Sequence, residues 1–342
     1  MYESYYGFSG SPFQLTPDAR FFYGSRAHSR AIAHLTFGLS QGEGFVIVTG
    51  EVGAGKTTLV ERLWSQLPQD TYTLVRIKTT QLSGDDLLRL AMAGFGVEPS
   101  GTDKASMLLG FEAAIRHHQQ IGRRCLLVVD EAQNLTLTAL EELRMLSNVG
   151  EDGGAGLQTI LLGQPQFRRM LASPDLDQLR QRVLASYHLG PIDAQETRAY
   201  IEHRLGMVGW AGVPEIELAA FTSLHRHSGG IPRRINRLCS RVLLFAALEE
   251  TNTITAAMVD STAQELFRDL EGPAQSNGHA AASTYAHSHL HGSGEAVGRN
   301  GYGDSALITA SNLVERVEAL EATTARRERT FQRLIDILSH RP

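Results

Sequence analysis

The sequence has little cysteine, few aromatic residues and no long apolar run. Its 342 residues include only two cysteines, Cys125 and Cys239, in a strand pattern and a helix pattern that lie far apart. We expect both to be buried thiols in a reducing compartment, because they offer no disulfide framework. No apolar stretch approaches the ~18 residues of a membrane span, and the first residues lack a secretory signal pattern. These absences predict a cytoplasmic protein with no membrane span, which reaches the inner membrane only through partners.

The chain also lacks an excess of positive charge. Its 32 lysines and arginines stand against 37 acidic residues, which gives a formal net charge of -5. A surface that binds nucleic acid is usually basic, so we do not expect a nucleic-acid partner. The length suits two compact units with extensions.

A glycine-rich segment separates a short apolar run, residues 45–49, from an amphipathic helical pattern. It fits the phosphate-loop motif G-x-x-x-x-G-K-[ST] in the strand and helix context that the motif requires. Backbone N–H groups of such a loop, with the start of the helix, surround the phosphates of ATP. Lys56 would contact the β- and γ-phosphates, and the Thr57 hydroxyl would bind Mg²⁺. The predicted nucleotide-binding residues are Gly50, Glu51, Val52, Gly53, Ala54, Gly55, Lys56, Thr57 and Thr58.

Two carboxylates follow a second apolar run, residues 125–129. A run without polar interruption is typical of a parallel strand that is covered on both faces. Ligands of open α/β sheets bind at the carboxyl ends of such strands, so Asp130 and Glu131 are expected beside the phosphate loop. Asp130 would hold Mg²⁺, and Glu131 would orient and deprotonate the attacking water. A helix N-cap is the alternative role for such a pair.

The periodicities divide the rest of the chain into segments. Residues 1–44 predict an irregular aromatic strap and a helix from about Ser25 to Ser40, which either walls an adenine pocket or only covers the core. Residues 45–190 predict the α/β domain, and residues 191–270 a wholly helical unit of four helices. Residues 271–305, rich in Gly, Ser and His, predict a flexible linker. Residues 306–342 predict an amphipathic or coiled-coil helix.

Several of these segments resemble a known family. Residues 50–58 together with 130–135 resemble the AAA+ ATPases, particularly the branch of the general-secretion A-component. Residues 2–7, 12–18 and 20–25 are similar to the ATPase associated with exosortase (PEP-CTERM) and exopolysaccharide loci. The resemblance extends to about residue 270. It implies an α/β P-loop NTPase fold, with a three-layer parallel sheet and a C-terminal helical lid.

The resemblance also implies roles for residues outside the two motifs. Gln164, after the strand predicted at 157–163, stands where the family has a polar sensor of the γ-phosphate. Arg182, before a last strand predicted at 186–189, corresponds to an arginine finger that enters a neighbouring subunit. Arg180 is the second candidate for the finger, and two arginines on a solvated helix face are the alternative. Arg233 corresponds to the lid arginine that contacts the γ-phosphate.

Together these features predict an enzyme that hydrolyses ATP with Mg²⁺ and drives conformational change in a homo-oligomer. The predicted catalytic set is Glu131, Lys56, Gln164, Arg182 and Arg233. The resemblance implies an envelope export or exopolysaccharide system with membrane-associated protein partners. Two alternatives stay open, a nucleotide-gated scaffold with little turnover and a DNA-associated ATPase switch of the transposition or origin-binding type. The acidic balance and the lack of a helix-turn-helix signature argue against the DNA-associated switch.

Overall fold

A five-stranded sheet forms the centre of the structure, which is a computed structural model that describes residues 1–16, 18–78, 82–97, 103–149 and 156–271. The strands pair in parallel in the order β2-β3-β4-β1-β5. All residues of β1 and β4 are buried, as expected for a parallel sheet with both faces covered. The strands span Phe45–Gly50 (β1), Tyr72–Lys78 (β2), Arg124–Asp130 (β3), Leu157–Gly163 (β4) and Val183–Leu189 (β5).

Helices surround this sheet and continue after it. Five of the helices begin after a capping side chain that accepts a hydrogen bond from a backbone N–H of the first turn. The capping residues are Ser25, Ser83, Asp103, Thr136 and Asp193. The helices span Tyr2–Tyr6 (α1), Arg26–Gln41 (α2), Lys56–Gln66 (α3), Gly84–Gly94 (α4), Lys104–Gln120 (α5), Leu137–Leu146 (α6), Pro165–Leu171 (α7), Asp177–Gln181 (α8), Ala194–Gly206 (α9), Leu218–Ser228 (α10), Pro232–Leu248 (α11) and Ala256–Glu271 (α12).

Alternate residues of β1 belong to different cores. Phe45 and Ile47 pack with α4 to α8 on one face of the sheet. Val46 and Val48 pack with α2 and α3 on the other face. This alternation follows from the period of two of a strand, and it makes the domain a three-layer α/β/α structure.

A third core joins the N-terminal segment to α9–α12. Tyr2, Phe8, Phe13 and Phe21 are buried among the apolar side chains of these helices. The prediction of an irregular N-terminal strap was partly wrong, because Tyr2–Tyr6 forms a short helix. That helix ends at Gly7, which has a φ of 70° and accommodates the left-handed conformation that closes the turn.

The unit after β5 is not wholly helical, which corrects the sequence prediction. Glu215–Ile216 (β6) and Thr253–Ile254 (β7) form a parallel two-stranded pair, and α10 begins after it at Leu218. The pair joins the connections before α10 and α12. Backbone hydrogen bonds from Glu215 N to Asn252 O, 2.8 Å, and from Glu217 N to Ile254 O, 3.1 Å, fix it.

Two further boundaries differ from the sequence-based expectation. Strand β5 begins at Val183, three residues before the predicted start, and its pairing with β1 shifts in register between Phe45 and Val46. Helix α6 was not predicted. The linker predicted from residue 271 and the helix predicted from residue 306 lie outside the described ranges, apart from Glu271 at the end of α12. Within those ranges, no helix combines the length and hydropathy that a membrane crossing requires.

The contact of α2 with β1 gives a stability test. A Cβ added at Gly38 would lie 2.3 Å from Val46 Cγ2, and Val46 is a buried, β-branched residue of a central strand. Gly38→Ala should therefore lower the free energy of unfolding by about 1–3 kcal/mol, because overpacking outweighs the gain in helix propensity.

Gly110→Ala is the matched control. Gly110 also lies inside a helix, but its added Cβ would make only ordinary contact, 3.5 Å from Met92 Cε. This change should raise the free energy of unfolding by about 0.5–1 kcal/mol. Urea titrations with unchanged m-values measure both effects. Equal stabilisation by the two substitutions would contradict the tight contact at Gly38.

Candidate functional site

The phosphate loop connects β1 to α3 at the carboxyl edge of the sheet. Gly53 and Gly55 have φ values of 83° and 99°, which residues with a Cβ rarely adopt. Gly55 is the N-cap of α3, which begins at Lys56. The loop thus presents backbone N–H groups and the positive end of the helix dipole to the same space, an arrangement that binds anions.

Lys56 is buried beneath this loop. Its Nζ donates hydrogen bonds to the carbonyl oxygens of Gly50, at 2.8 Å, and Glu51, at 3.1 Å. Burial lowers the pKa of Lys56, while the carboxylates of Glu131 and Asp130 oppose that shift. The ammonium group therefore depends on nearby oxygen atoms for its charge, and phosphate oxygens would serve it in the same way.

The two residues predicted to bind Mg²⁺ are in direct contact. Thr57 Oγ1 donates a 2.8 Å hydrogen bond to Asp130 Oδ2, and Arg76 Nη2 lies 3.4 Å from the same oxygen. Asp130 Oδ1 accepts from the backbone N–H of Glu131 at 3.0 Å. A hydroxyl and a carboxylate are the hard oxygen donors that Mg²⁺ prefers, so the donor set fits that ion.

The predicted base, Glu131, directly follows β3 in a left-handed conformation with a φ of 57°. Its Oε2 accepts hydrogen bonds from Gln133 Nε2, at 2.6 Å, and from Gln164 Nε2, at 3.0 Å. Gln164, the predicted sensor, thus lies beside the base. Gln133 was not singled out from the sequence.

Helices α9 to α12, which we call the lid, approach the loop through Arg233. Its backbone N–H donates to Gly53 O at 3.2 Å, and a Cβ added at Gly53 would lie 2.3 Å from Arg233 Cβ. A second contact joins the turn before α11 to the end of the sheet, where Ile192 N donates to Gly230 O at 3.0 Å. The first turn of α11 therefore packs directly on the phosphate loop.

A cavity of about 470 Å³ lies between the loop, the lid and the N-terminal segment. Nine of the predicted site residues line it: Val52, Gly53, Gly55, Lys56, Thr57, Thr58, Asp130, Glu131 and Arg233. Gly50, Glu51, Ala54 and the predicted sensor Gln164 are not part of its lining. Residues 14–16 and 21–23 of the strap also line it. The strap thus lines a cavity and also packs in a core, and a role as the wall of an adenine pocket stays a prediction.

A buried arginine of the lid holds the strap in this position. Arg204 Nε donates to Pro12 O at 2.6 Å, and Arg204 Nη1 donates to the Tyr200 hydroxyl at 3.0 Å. The guanidinium carbon lies 4.8 Å from the centre of the Phe21 ring. Tyr200 in turn donates to Asn236 Oδ1 at 2.7 Å. Since Arg204, Tyr200 and Asn236 also line the cavity, its wall and the strap share one hydrogen-bond network.

His28 forms the cavity wall next to the loop. A Cβ added at Gly55 would lie 2.8 Å from His28 Nε2, and the Ser25 hydroxyl lies 2.7 Å from His28 Nδ1. Burial lowers the pKa of His28 to about 4, although the carboxylate of Glu196 acts in the opposite direction. The ring is therefore neutral at physiological pH.

The two candidate finger arginines lie at the opposite edge of the sheet. Arg182 O accepts a hydrogen bond from Phe45 N at 3.0 Å, so Arg182 lies beside the first residue of β1. The phosphate loop follows the last residue of the same strand. Its Nη1 lies 3.5 Å from Ser147 Oγ. Arg180 donates to Leu171 O at 2.9 Å and pairs with Asp177. Neither arginine lines the cavity of its own chain.

Comparisons with known proteins agree with this geometry. Residues 39–171 match the family model described as AAA domain. The chain is also similar to General secretion pathway protein A of Aeromonas hydrophila, with 40% identity over 282 residues. That alignment covers 81% of this chain and 50% of the relative, so the chain spans about half the length of that protein.

Two archaeal structures share the architecture at low sequence identity. Cdc6p from Pyrobaculum aerophilum aligns with a TM-score of 0.59 and 14% identity, over 75% of this chain and 70% of its own. The Aeropyrum pernix ORC2 protein aligns with a TM-score of 0.54 and 16% identity, over 74% and 71%. The fold is that of an AAA+ P-loop NTPase. The predicted fold class is therefore confirmed, and the match of residues 39–171 to an AAA domain implies nucleotide binding.

Sequence reasoning missed four residues around this site. Gln133 had the best signal, because it stands two residues after Glu131 in the second motif. Arg204 follows Tyr200 by one helical turn, a spacing that places both side chains on one face. Arg76 carried no local signal, since Glu61 and Asp130 lie in other elements. His28 stands three residues after its partner Ser25, but its contact with Gly55 of the loop joins distant segments.

The buried His28 predicts a pH dependence of stability. Its pKa is about 4 in the folded chain, below its ordinary value of 6.5. Between these values the unfolded chain takes up a proton that the folded chain does not, so stability falls as the pH falls. The loss by pH 5 should reach about 2 kcal/mol, and His28→Gln should remove most of it.

Urea titrations at pH 7 and pH 5 measure this difference. His34→Gln, which removes an exposed histidine from the same helix, is the control. An unchanged slope of stability against pH in His28→Gln would show that other groups cause the loss.

Proposed function

We propose that this protein binds ATP with Mg²⁺ in the described cavity and hydrolyses it. The observation that carries the proposal is the hydrogen bond between Thr57 and Asp130, which unites the two motifs beside the buried Lys56. The AAA+ fold and the match to the AAA domain support it. The geometry also suits the division of work in phosphoryl transfer, where positioning and charge neutralisation supply most of the catalysis.

Each side chain has a proposed role in that reaction. Lys56 and the loop N–H groups of residues 50–58 bind the β- and γ-phosphates. Thr57 and Asp130 hold Mg²⁺, which when bound neutralises charge on the phosphates. Glu131 accepts a proton from the attacking water, and Gln164 orients the groups around the γ-phosphate. Arg233 contacts the γ-phosphate from the lid, so that nucleotide state can change the lid's packing on Gly53.

The phosphate-binding and water-activating roles are separable by mutation. Lys56→Ala should abolish nucleotide binding, because it removes the only predicted cation beneath the loop. Glu131→Gln should bind ATP with near-normal affinity, and its turnover should fall by about 10²–10⁴-fold, the usual contribution of a general base. Equilibrium binding of a fluorescent ATP analogue and phosphate release, measured separately for each variant, check both expectations.

Glu43→Gln is the control for the charge change, because Glu43 is exposed and lies outside the cavity. It should leave both measurements unchanged. Normal turnover in Glu131→Gln would remove Glu131 from the role of base. A protein that binds ATP but never releases phosphate would instead be a nucleotide-gated scaffold.

We infer a setting in cell-envelope export. The support is the 40% identity to a protein named General secretion pathway protein A, together with the similarity of residues 2–7, 12–18 and 20–25 to the exosortase-associated ATPase. In this setting the protein is cytoplasmic and reaches the inner membrane through protein partners of an export or exopolysaccharide system. Co-purification of the tagged chain with inner-membrane proteins tests this inference. Recovery of nucleic acid that is lost at high salt would favour the DNA-associated switch.

We also propose a homo-oligomer in which Arg182 completes the neighbour's site. In its own chain Arg182 is separated from the phosphate loop by the length of β1, about 16 Å at the usual rise of ~3.3 Å per residue. An arginine side chain is too short to span that distance. A role for Arg182 in hydrolysis therefore requires a second subunit.

Action across subunits predicts complementation. Arg182→Ala should bind ATP normally, and its turnover should fall steeply, because fingers of this kind contribute about 10³–10⁵-fold in GTPases. A mixture of Arg182→Ala and Glu131→Gln should regain activity, since one interface then pairs an intact finger with an intact base. Phosphate release is measured for each variant alone and for the mixture.

Arg180→Ala mixed with Glu131→Gln tests the second candidate finger under the same conditions. If co-assembled Arg182→Ala and Glu131→Gln stay inactive while the Arg180→Ala mixture recovers, Arg180 is the finger. If Arg182→Ala alone retains full activity, Arg182 has only a structural role at the start of β5.

A further inference from the structure

Gln133 uses both ends of its amide group beside the predicted base. Its Nε2 donates to Glu131 Oε2 at 2.6 Å, and its Oε1 accepts from the backbone N–H of Gln164 at 2.9 Å. Only the carbonyl oxygen of an amide can accept that backbone hydrogen bond, so the NH₂ group must face the carboxylate. The orientation of Gln133 is therefore fixed by its partners.

These contacts join the ends of two neighbouring strands. Gln133 lies in a 3₁₀ turn, Ala132–Asn134, directly after β3, whereas Gln164 directly follows β4. Gln164 also donates from its side chain to Glu131 Oε2 at 3.0 Å. The base, the predicted sensor and Gln133 thus form a closed triangle of hydrogen bonds at the carboxyl edge of the sheet.

Glu131 needs support of this kind because its backbone is strained. A residue with a Cβ at a φ of 57° costs about 1–3 kcal/mol, and such strain persists only where surrounding contacts maintain it. The strained turn directs Glu131 into the cavity, whose lining includes Glu131 and not Gln133. Gln133 therefore touches the base without touching the space in which a nucleotide would bind.

We propose that Gln133 is a positioning residue that holds the Glu131 carboxylate in register with Gln164 for attack by water. This inference rests on the proposed ATP hydrolysis and adds a residue to it. Displacement of a catalytic base by 1 Å can lower the rate by about 10²-fold. Binding of the phosphates by the loop does not involve Gln133. Loss of Gln133 should therefore lower kcat and leave nucleotide affinity and KM almost unchanged.

Gln133→Glu distinguishes two roles of Gln133, which are to position the carboxylate of Glu131 or only to link the ends of β3 and β4. The substituted side chain has the same shape and can still accept the hydrogen bond from Gln164 N. It no longer has an NH₂ group for Glu131, and its charge would repel that carboxylate. Gln133→Ala removes both contacts without adding charge. If Gln133 positions Glu131, the Glu variant should be the slower of the two; if it only ties the strands, the Glu variant should be the faster.

The experiment measures kcat and KM for ATP and the Kd of ADP for the full chain at one fixed protein concentration. We expect kcat to fall by about 10-fold in Gln133→Ala and about 10²-fold in Gln133→Glu, with KM and Kd within about twofold of the unsubstituted protein. Gln166→Ala is the matched control. Gln166 is an exposed glutamine that donates to Gln164 Oε1 at 3.1 Å and does not contact Glu131, so its loss should leave kcat unchanged.

The outcomes distinguish this inference from the proposed function. If the unsubstituted protein hydrolyses ATP and Gln133→Glu is as active as it, the inference alone is wrong. It is also wrong if Gln133→Glu is faster than Gln133→Ala, or if both variants lose ADP affinity in step with kcat. If the unsubstituted protein shows no hydrolysis that depends on Mg²⁺, the proposed function fails and takes the inference with it. Retained ADP affinity shows that each variant is folded.

Discussion

The hydrogen bond between Thr57 and Asp130 depends on the parallel register of three strands. Strand β4 lies between β1 and β3, and pairs Thr49 with Gly163 and Val129 with Leu161. Because all three run in the same direction, the residues that follow them reach one edge of the sheet. A slip of one residue in either pairing would turn the following side chains to the other face and part the two motifs.

The same register explains how much of the site the sequence could predict. The phosphate loop and the Asp130–Glu131 pair each carry a local pattern, and the continuous apolar runs before them indicate buried parallel strands. Two local patterns and one topological rule were therefore enough to bring Lys56, Thr57, Asp130 and Glu131 together. The roles of these residues in catalysis stay predictions, as do the domain boundaries.

The features that the sequence did not reveal depend on contacts between distant segments. Strands β6 and β7 have two residues each, too few for a period of two to be visible, and they form only because α10 and α12 bring them together. Helix α1 depends on the burial of Tyr2 against the lid. Gln133 becomes important only when the end of β4 lies beside it. Periodicity reports which face of an element is buried, but it does not report the partner.

The hydrogen bonds from Arg204 to the strap affect which substitutions the strap tolerates. The guanidinium binds the main-chain oxygens of Pro12 and Gln14, at 2.6 Å and 3.5 Å, rather than their side chains. Recognition of main-chain atoms is indifferent to residue type, so this contact permits other residues at positions 12 and 14, whereas Phe13 between them is buried in the core. The requirement for a particular residue falls instead on position 204 of the lid, because no other amino-acid type offers a planar array of five donors. The shape of the cavity wall is thus encoded some 190 positions away from the segment that forms it.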